Sequence, residues 1–274
     1  MEPEIIAHRG GKQNWPENTV CAFGQNVAQG ISTIELDVQV TQDGQVVVYH
    51  PDDLSQWTNS SGPISSKPAA EITELDTSVK YTGTDTYKTV CSVEDTEIPL
   101  LTDVLSGFPQ TQFIVDMKSP ETQRLVDSLV ATIPVADWSR LRFYSTNPEH
   151  TKLLRQARPN AAIFEDRSET LTRLLTSNET HQCVGQGAES WIAYELVRPL
   201  QVCDQTKLGS TCVPNVSFTM WTEESVACTR TATNGAGIVF FGINTAEDYQ
   251  RASELGANAV FSDNPSLLVA QKKK

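Results

Sequence analysis

Short runs of β-branched and aromatic residues alternate with helical segments along most of the chain. Between the runs, apolar residues recur at helical spacing, as at Val20, Phe23 and Val27. Eight strands alternating with helices favour an α/β fold, a (β/α)₈ TIM barrel, and an open doubly wound sheet is the alternative. The eight predicted strands are 5–8, 33–37, 113–116, 141–145, 161–165, 191–195, 238–242 and 259–262.

Two segments do not fit a minimal barrel. After the second strand, residues 38–50 are typical of a hairpin that turns at Asp43-Gly44, and residues 51–99 form a mostly polar loop insertion. Residues 216–221 are a ninth strand-like run, which we interpret as an addition beside the sixth strand. Because the sequence shows no inter-domain linker, residues 1–274 are predicted to form a single domain.

Composition and charge narrow the classes of function. A chain of 274 residues with 39% hydrophobic and 20% charged residues can bury an ordinary globular core. It contains no run of 18 apolar residues, which predicts no membrane span. Its 21 basic and 34 acidic residues give a net charge of −13, the wrong sign for a nucleic-acid binder. A phosphate-bearing ligand therefore needs local positive charge.

The cysteines bear on the compartment. Four of the six, Cys183, Cys203, Cys212 and Cys228, lie in a stretch rich in turn formers, which predicts loop disulfides and an oxidising environment. Reduced core cysteines are the alternative. We predict a Cys203–Cys212 pair, because the eight residues between them can form a short loop that folds back on itself. The first strand begins almost at the first Met, so we expect either a periplasmic or secreted protein whose signal peptide was removed or a cytoplasmic protein.

Charged and polar residues collect where the predicted strands end. In a barrel these ends share one face, and side chains two residues apart on a strand point the same way. Glu35 with Asp37, and Asp116 with Lys118, are therefore expected to lie together in the opening of the barrel at the carboxyl ends of its strands, which we call the mouth. The residues concerned are His8, Arg9, Glu35, Asp37, His50, Asp116 and Lys118.

This combination indicates chemistry on a phosphate diester. Three carboxylates held together repel one another unless a cation lies among them, and oxygen ligands suit Ca²⁺ or Mg²⁺. Arg9 and Lys118 supply charge that matches phosphate oxygens. His8 and His50, which come from different strands, fit a general acid and a general base on opposite sides of phosphorus. Their individual roles cannot be read from the sequence.

The same residues lie within motifs that resemble the glycerophosphodiester phosphodiesterases. The motifs occur in the family's order from residue 4 to about 268, and they are His8-Arg9-Gly10, Pro16-Glu17-Asn18-Thr19, Glu35-Leu36-Asp37, Thr41-x-Asp43-Gly44, Val47-Val48-x-His50, Ile98-Pro99-Leu100, Asp116-x-Lys118 and Ser262-Asp263-Asn264-Pro265. The resemblance implies a TIM barrel that hydrolyses glycerophosphodiesters to an alcohol and glycerol 3-phosphate. It also implies metal ligation by Glu35, Asp37 and Asp116, acid-base catalysis by His8 and His50, and phosphate binding by Arg9 and Lys118.

Three positions depart from that family pattern. His50 is followed by Pro51-Asp52, where the commoner form has Asp directly. The third metal carboxylate is more often Glu than Asp, and a Trp-Thr pair usually precedes Asn244 where this chain has Gly242-Ile243. The aromatic wall of the pocket is therefore either missing or supplied by Phe241, Trp221 or Trp191.

Two other functions are weighed against this one. The first is a phospholipase D-like enzyme of the sphingomyelinase type on the same fold, which would act on lipids. The motifs at 16–19 and 98–100 and the polar insertion favour the glycerophosphodiesterase. The second is a barrel that binds without catalysis, which would be expected to lose a histidine or a metal carboxylate, and none is lost.

Overall fold

The computed structural model describes residues 2–184, 191–206 and 209–272. The strands are β1 Glu4–Ala7, β2 Thr33–Val40, β3 Val46–Val48, β4 Gln112–Met117, β5 Leu141–Tyr144, β6 Ala162–Ile163, β7 Trp191–Glu195, β8 Val197–Thr206, β9 Gly209–Thr219, β10 Gly237–Phe241 and β11 Ala259–Ser262. The helices are α1 Val20–Ala28, α2 Ala69–Ile72, α3 Tyr87–Val90, α4 Leu101–Gly107, α5 Thr122–Thr132, α6 Pro148–Ala157, α7 Arg167–Thr180, α8 Glu223–Ala232, α9 Ala246–Glu254 and α10 Pro265–Lys272.

Eight parallel strands form a nearly closed barrel. Their order is β6-β5-β4-β2-β1-β11-β10-β7, and the backbone N–H of Glu165, just after β6, donates to the carbonyl of Trp191 in β7 across 3.0 Å. Each of these strands coincides with one of the eight predicted runs. The predicted (β/α)₈ barrel is confirmed.

The barrel has an inner and an outer apolar layer. The inner layer consists of side chains that point into the barrel, namely Ile6, Ile114, Phe164, Ala193, Val239, Ala259 and Phe261. Larger numbers of buried residues, among them Ile34, Leu36 and Phe113, face outward onto the helices. Because apolar side chains fill both faces of the strands, polar side chains gather at the strand ends.

The first helix shows how local sequence sets the element boundaries. The Thr19 side chain caps α1 by accepting from the N–H of Ala22, and Gly30 follows the helix with a left-handed φ of 87°. Gly10, which also has a left-handed φ, lies so close to α1 that an added Cβ would come within 2.7 Å of the Cβ of Ala22. Only glycine lets the segment after β1 pass this close to the helix.

The insertion at 51–99 is more ordered than the predicted polar loop. It contains α2 and α3, and it shares with β3 a small buried cluster formed by Val47, Tyr49, Leu54, Ile64, Ile72 and Ile98. A disulfide between Cys21 in α1 and Cys91 attaches it to the barrel. Few and widely spaced apolar residues form this cluster, which explains why the segment looks polar in the sequence.

The ninth strand-like run belongs to a long hairpin outside the barrel. β8 and β9 pair antiparallel immediately after β7, the sixth barrel strand. Cys203 pairs with Cys212 across the hairpin, as predicted, and Cys183 pairs with Cys228. Within the described ranges, no helix is long and apolar enough to cross a membrane.

Candidate active site

His8 lies directly after β1 and is held by two carboxylates. Its Nδ1 is 2.5 Å from Oδ1 of Asp263, and its Nε2 is 3.8 Å from Oε2 of Glu35. Burial lowers the pKa of His8, but Glu35 and the hydrogen bond to Asp263 outweigh that effect and raise the pKa above its usual value. Asp263 also orients the ring, since its hydrogen bond with Nδ1 directs Nε2 toward the mouth.

Arg9 turns back over the acidic residues in a left-handed conformation, with a φ of 53°. Its backbone N–H donates to Oε2 of Glu35 across 2.8 Å. Its guanidinium lies 3.3 Å from Oε2 of Glu17 and 3.4 Å from Oδ2 of Asp37. Burial alone would lower the pKa of Arg9, but Asp37 and Glu17 raise it, so the cation is retained in the mouth.

The three predicted ligand carboxylates converge. Glu35, Asp37 and Asp116 each offer an oxygen within 4.8 Å of the others, and all three are almost completely buried. Asp37 and Asp116 stand opposite each other in the β2–β4 register. Asn18 anchors Asp37 by donating to its Oδ2 across 2.9 Å and accepting from its N–H across 3.1 Å.

The negative charge of the triad is only partly balanced by the neighbouring Arg9 and Lys118. Oδ1 of Asp116 is buried and has no hydrogen-bond partner among the described residues. Burial and the charges of Asp37 and Glu35 raise the pKa of Asp116 to about 7, against the opposing effect of Lys118. Burial and Asp37 likewise raise the pKa of Glu35. An unpartnered oxygen in an oxygen-only donor set fits a hard divalent cation.

Lys118 and His50 lie on the other flank of Asp37. The Lys118 Nζ is 2.7 Å from Oδ2 of Asp116 and 3.9 Å from Oδ1 of Asp37. The His50 Nε2 is 4.0 Å from the same Oδ1. Burial lowers the pKa of His50 to about 4, although Asp37 opposes the shift. The structure thus brings all seven sequence-predicted residues to one mouth.

Four side chains at the site were not assigned roles from the sequence. Tyr144, the last residue of β5, donates from its hydroxyl to Oε1 of Glu35 across 2.8 Å. Glu17, Asn18 and Asp263 hold Arg9, Asp37 and His8 as described above. The rule that selected the other residues, a polar side chain at a barrel strand's C-terminal end, also applies to Tyr144 and to Asp263, which directly follows β11.

The aromatic wall comes from inside the barrel. Phe241 packs on Phe261 with ring centroids 4.4 Å apart, and Tyr144 lies 6.0 Å from Phe241. Trp221 is fully buried, stacks on Phe240 and donates its N–H to a backbone carbonyl, so it does not line the mouth. Trp191 packs on Phe164 at 6.3 Å and under the guanidinium of Arg142. Of the three candidates from the sequence, Phe241 is the one that packs against Tyr144, whose hydroxyl donates to Glu35.

Two cavities flank the acidic triad. One, of about 440 Å³, lies between the segment after β1 and the insertion, and its wall is formed by Lys12, Gln13, Pro16, Glu17, Trp57, Thr77, Tyr81, Thr82 and Gly83. The other, of about 340 Å³, is lined by His50 and Lys118 together with residues that follow β4 and β5. His150 at its edge is buried between Ser145 and the carbonyl of Ser119, which indicates a structural role.

Comparison with known proteins gives consistent matches. Residues 8–267 match the model of the glycerophosphoryl diester phosphodiesterase family. The Mycobacterium tuberculosis protein Rv2277c is 31% identical over 99% of this chain and 89% of its own length. The crystal structure of its glycerophosphoryl diester phosphodiesterase domain superposes with a TM-score of 0.87 at 30% identity, over the full length of both chains. A Bacillus subtilis glycerophosphodiester phosphodiesterase is 23% identical over 98% of this chain and 86% of its own.

Proposed function

Because this chain belongs to the glycerophosphoryl diester phosphodiesterase family, we propose that it hydrolyses glycerophosphodiesters to an alcohol and glycerol 3-phosphate. As a member of that family it is a phosphoric diester hydrolase. The proposed reaction rests on the geometry of the mouth. The buried triad of Glu35, Asp37 and Asp116 has His8 and Arg9 on one flank and His50 and Lys118 on the other.

A divalent cation, Ca²⁺ or Mg²⁺, would be held by Glu35, Asp37 and Asp116. When bound, it would neutralise charge on the phosphate and favour ionisation of an oxygen nucleophile. Arg9 and Lys118 bind the remaining phosphate oxygens from opposite sides of Asp37. Both cations are already oriented by carboxylates, so little order has to be gained on binding.

The two histidines divide the proton transfers. His8, whose pKa is raised, is the acid that donates a proton to the leaving alkoxide, and Asp263 orients its ring. His50, whose pKa is lowered to about 4, is neutral at physiological pH and is the base that accepts the nucleophile's proton. One phosphorus–oxygen bond forms to the nucleophile, either water or the substrate's glycerol hydroxyl, and the bond to the leaving alcohol breaks. Where the glycerol hydroxyl attacks, the product of this step is a cyclic phosphate, which one water molecule then opens to glycerol 3-phosphate.

A substrate panel tests this function. Purified protein is incubated with glycerophosphocholine, glycerophosphoethanolamine, glycerophosphoglycerol and lysophospholipids, with and without excess chelator. The products measured are glycerol 3-phosphate from the glycerophosphodiesters and lysophosphatidic acid from the lysophospholipids. We expect hydrolysis that chelator abolishes and added Ca²⁺ or Mg²⁺ restores. Full activity in chelator would contradict the metal site, and hydrolysis of lysophospholipids alone would favour the lipid phosphodiesterase.

We further propose that the protein works outside the cytoplasm, in the periplasm or as a secreted enzyme. The three disulfides, which pair all six cysteines, support this because such bonds persist in oxidising compartments. Free thiols at all six positions in protein isolated from its native source would contradict it.

A further inference from the structure

Tyr144 is the last residue of β5 and lies beside the acidic triad. It is the register partner of Asp116 in the neighbouring strand β4, and its ring packs on the inner apolar layer of the barrel. From there its hydroxyl donates to Oε1 of Glu35 across 2.8 Å. Glu35 belongs to β2, the strand on the far side of β4. The hydrogen bond therefore links the two strands that flank β4.

The ring of Tyr144 is held in place by other rings. Its centroid lies 6.0 Å from that of Phe164, 6.0 Å from that of Phe241 and 6.2 Å from that of Phe261. The contacts with Phe164 and Phe261 are edge-on, with interplanar angles of 67° and 72°. Because the hydroxyl oxygen lies in the ring plane, packing that fixes the ring also fixes this oxygen before any ligand binds.

Glu35 has the longest side chain of the triad and needs the most restraint. A glutamate has one more rotatable bond than an aspartate, so its carboxylate loses more rotamer freedom when it is fixed. Both of its oxygens are held, because Oε2 accepts from the backbone N–H of Arg9 across 2.8 Å and Oε1 accepts from Tyr144. The two donors come from different parts of the barrel, so together they set the plane of the carboxylate.

The three carboxylates are anchored by donors of different charge. Asn18 donates an amide N–H to Asp37, and the Lys118 ammonium contacts Asp116. Lys118 cancels part of the charge that it holds, whereas a neutral donor fixes a carboxylate and leaves its charge. The Tyr144 hydroxyl is a neutral donor. It therefore orders a carboxylate whose charge stays available to a cation.

We propose that Tyr144 is a positioning residue for the divalent cation, because its hydroxyl holds Glu35 in the orientation in which that carboxylate binds the ion. Donors to a ligating group typically raise metal affinity by about 10-fold to 100-fold, since they fix the ligand before the ion arrives. This role rests on the proposed function, which assigns Glu35 to the cation.

The variant Tyr144→Phe removes the hydroxyl and keeps the ring. In calorimetric titrations of the purified protein with Mg²⁺ and with Ca²⁺, we expect Kd for the ion that wild type binds more tightly to rise about 10-fold to 100-fold. Tyr249→Phe is the matched control. The Tyr249 hydroxyl donates to the carbonyl of Pro3 across 2.9 Å, and Pro3 precedes β1, at the end of the barrel opposite the mouth. The control should keep wild-type affinity. An unchanged Kd in Tyr144→Phe, or an equal rise in both variants, would overturn the proposal.

Rescue by the ion separates positioning from a purely structural role. Both variants keep the ring and lose one hydroxyl hydrogen bond, so a general loss of stability would affect them alike. The rate of glycerophosphodiester hydrolysis by Tyr144→Phe should fall at low concentrations of the ion and return to within about twofold of wild type at saturation. A rate that saturating ion does not restore would overturn the proposal, because the hydroxyl would then act in a step other than ion binding.

The wild-type protein supplies a test that needs no folded variant. Addition of the ion should change the near-ultraviolet absorption of a tyrosine, because ligation of Glu35 withdraws electron density from the carboxylate that accepts the Tyr144 hydrogen bond. The change should be absent in Tyr144→Phe. Ion binding by wild type without a tyrosine difference spectrum would overturn this inference alone. A wild-type protein that binds neither ion would contradict the metal site of the proposed function as well.

Discussion

The two halves of the barrel mouth differ in how their charges are balanced. The acidic half, at the ends of β1, β2 and β4, holds Glu35, Asp37 and Asp116, and Oδ1 of Asp116 is buried with no partner among the residues that the structure describes. The paired half, at the ends of β6, β7 and β10, holds Glu195, which Arg167 contacts at 2.6 Å and Arg198 at 3.0 Å.

The paired half is satisfied by the chain's own residues. The Arg167 guanidinium also lies over the rings of Tyr194 and Phe241, at 4.7 and 5.6 Å from their centroids. Cations stacked on rings and bonded to a carboxylate stabilise the structure and balance the charge of that carboxylate. In the acidic half, Arg9 and Lys118 balance only part of the charge, and the buried carboxylates still repel one another, which raises the pKa of Asp116. Both halves contain charged residues, so charge alone does not distinguish them. The unbalanced negative charge of the acidic half is what marks it as the half where the reaction takes place.

The largest effect is expected from removing one carboxylate of the acidic half. Asp116→Asn should lower kcat/KM by about 10³-fold to 10⁴-fold, because a bound metal contributes several kcal/mol of transition-state stabilisation. Calorimetric titration with Ca²⁺ and Mg²⁺ should show loss of the tight site. Glu195→Gln in the paired half is the control, and we expect it to retain metal binding and activity within about threefold. Similar losses in both variants would refute the distinction between the halves.

Removal of either histidine is expected to have the next largest effect. His8→Ala and His50→Ala should each reduce kcat by about 10²-fold to 10⁴-fold, because each removes a proton-transfer group. His181→Ala is the control, because the His181 side chain is exposed and contacts Glu224, away from the acidic triad. A histidine variant with near wild-type turnover would show that this histidine is structural. Circular dichroism should confirm that all three variants are folded.

A change beside His8 should alter the pH dependence of activity. The raised pKa of His8 keeps the acid protonated to higher pH, and Asp263 contributes to that rise. Asp263→Asn should therefore lower the pKa of His8 and move the alkaline limb of the kcat profile to lower pH. The acid limb, set by His50 with a pKa of about 4, should stay in place. Rate measurements from about pH 3 to about pH 10 test this, and an unmoved alkaline limb would exclude Asp263 as the group that raises the pKa.

The sequence was sufficient for the parts of the molecule that depend on local patterns. Runs of β-branched and aromatic residues predicted all eight barrel strands, and strand-end positions with period-2 alternation predicted that seven residues meet at one mouth. Contacts between distant parts of the chain were not predictable in this way. Tyr144 reaches Glu35 across 109 positions, and Cys21 reaches Cys91 across 70, and no periodicity encodes either contact. That residues 1–274 form one domain stays a prediction.

The smallest effect is expected from the hairpin beside the paired half. The Cys203–Cys212 bond closes a loop of 9 residues, so its removal in Cys203→Ser/Cys212→Ser should lower the free energy of unfolding by at most about 2 to 3 kcal/mol on the chain-entropy model. Activity should stay within twofold of wild type, because β8 and β9 pair only with each other among the described strands and carry no residue of the acidic half.

The matched comparison is Cys21→Ser/Cys91→Ser. This bond closes a loop of 70 residues, so its loss should cost about 4 kcal/mol in the same model. It also attaches the insertion that supplies Trp57 and Tyr81 to the cavity beside the acidic triad, so KM for a glycerophosphodiester should rise in this variant and not in the hairpin variant. Denaturant unfolding and steady-state kinetics measure both quantities. A hairpin variant that lost activity while keeping its stability would show that the paired half takes part in the chemistry, and the contrast between the two halves would then fail.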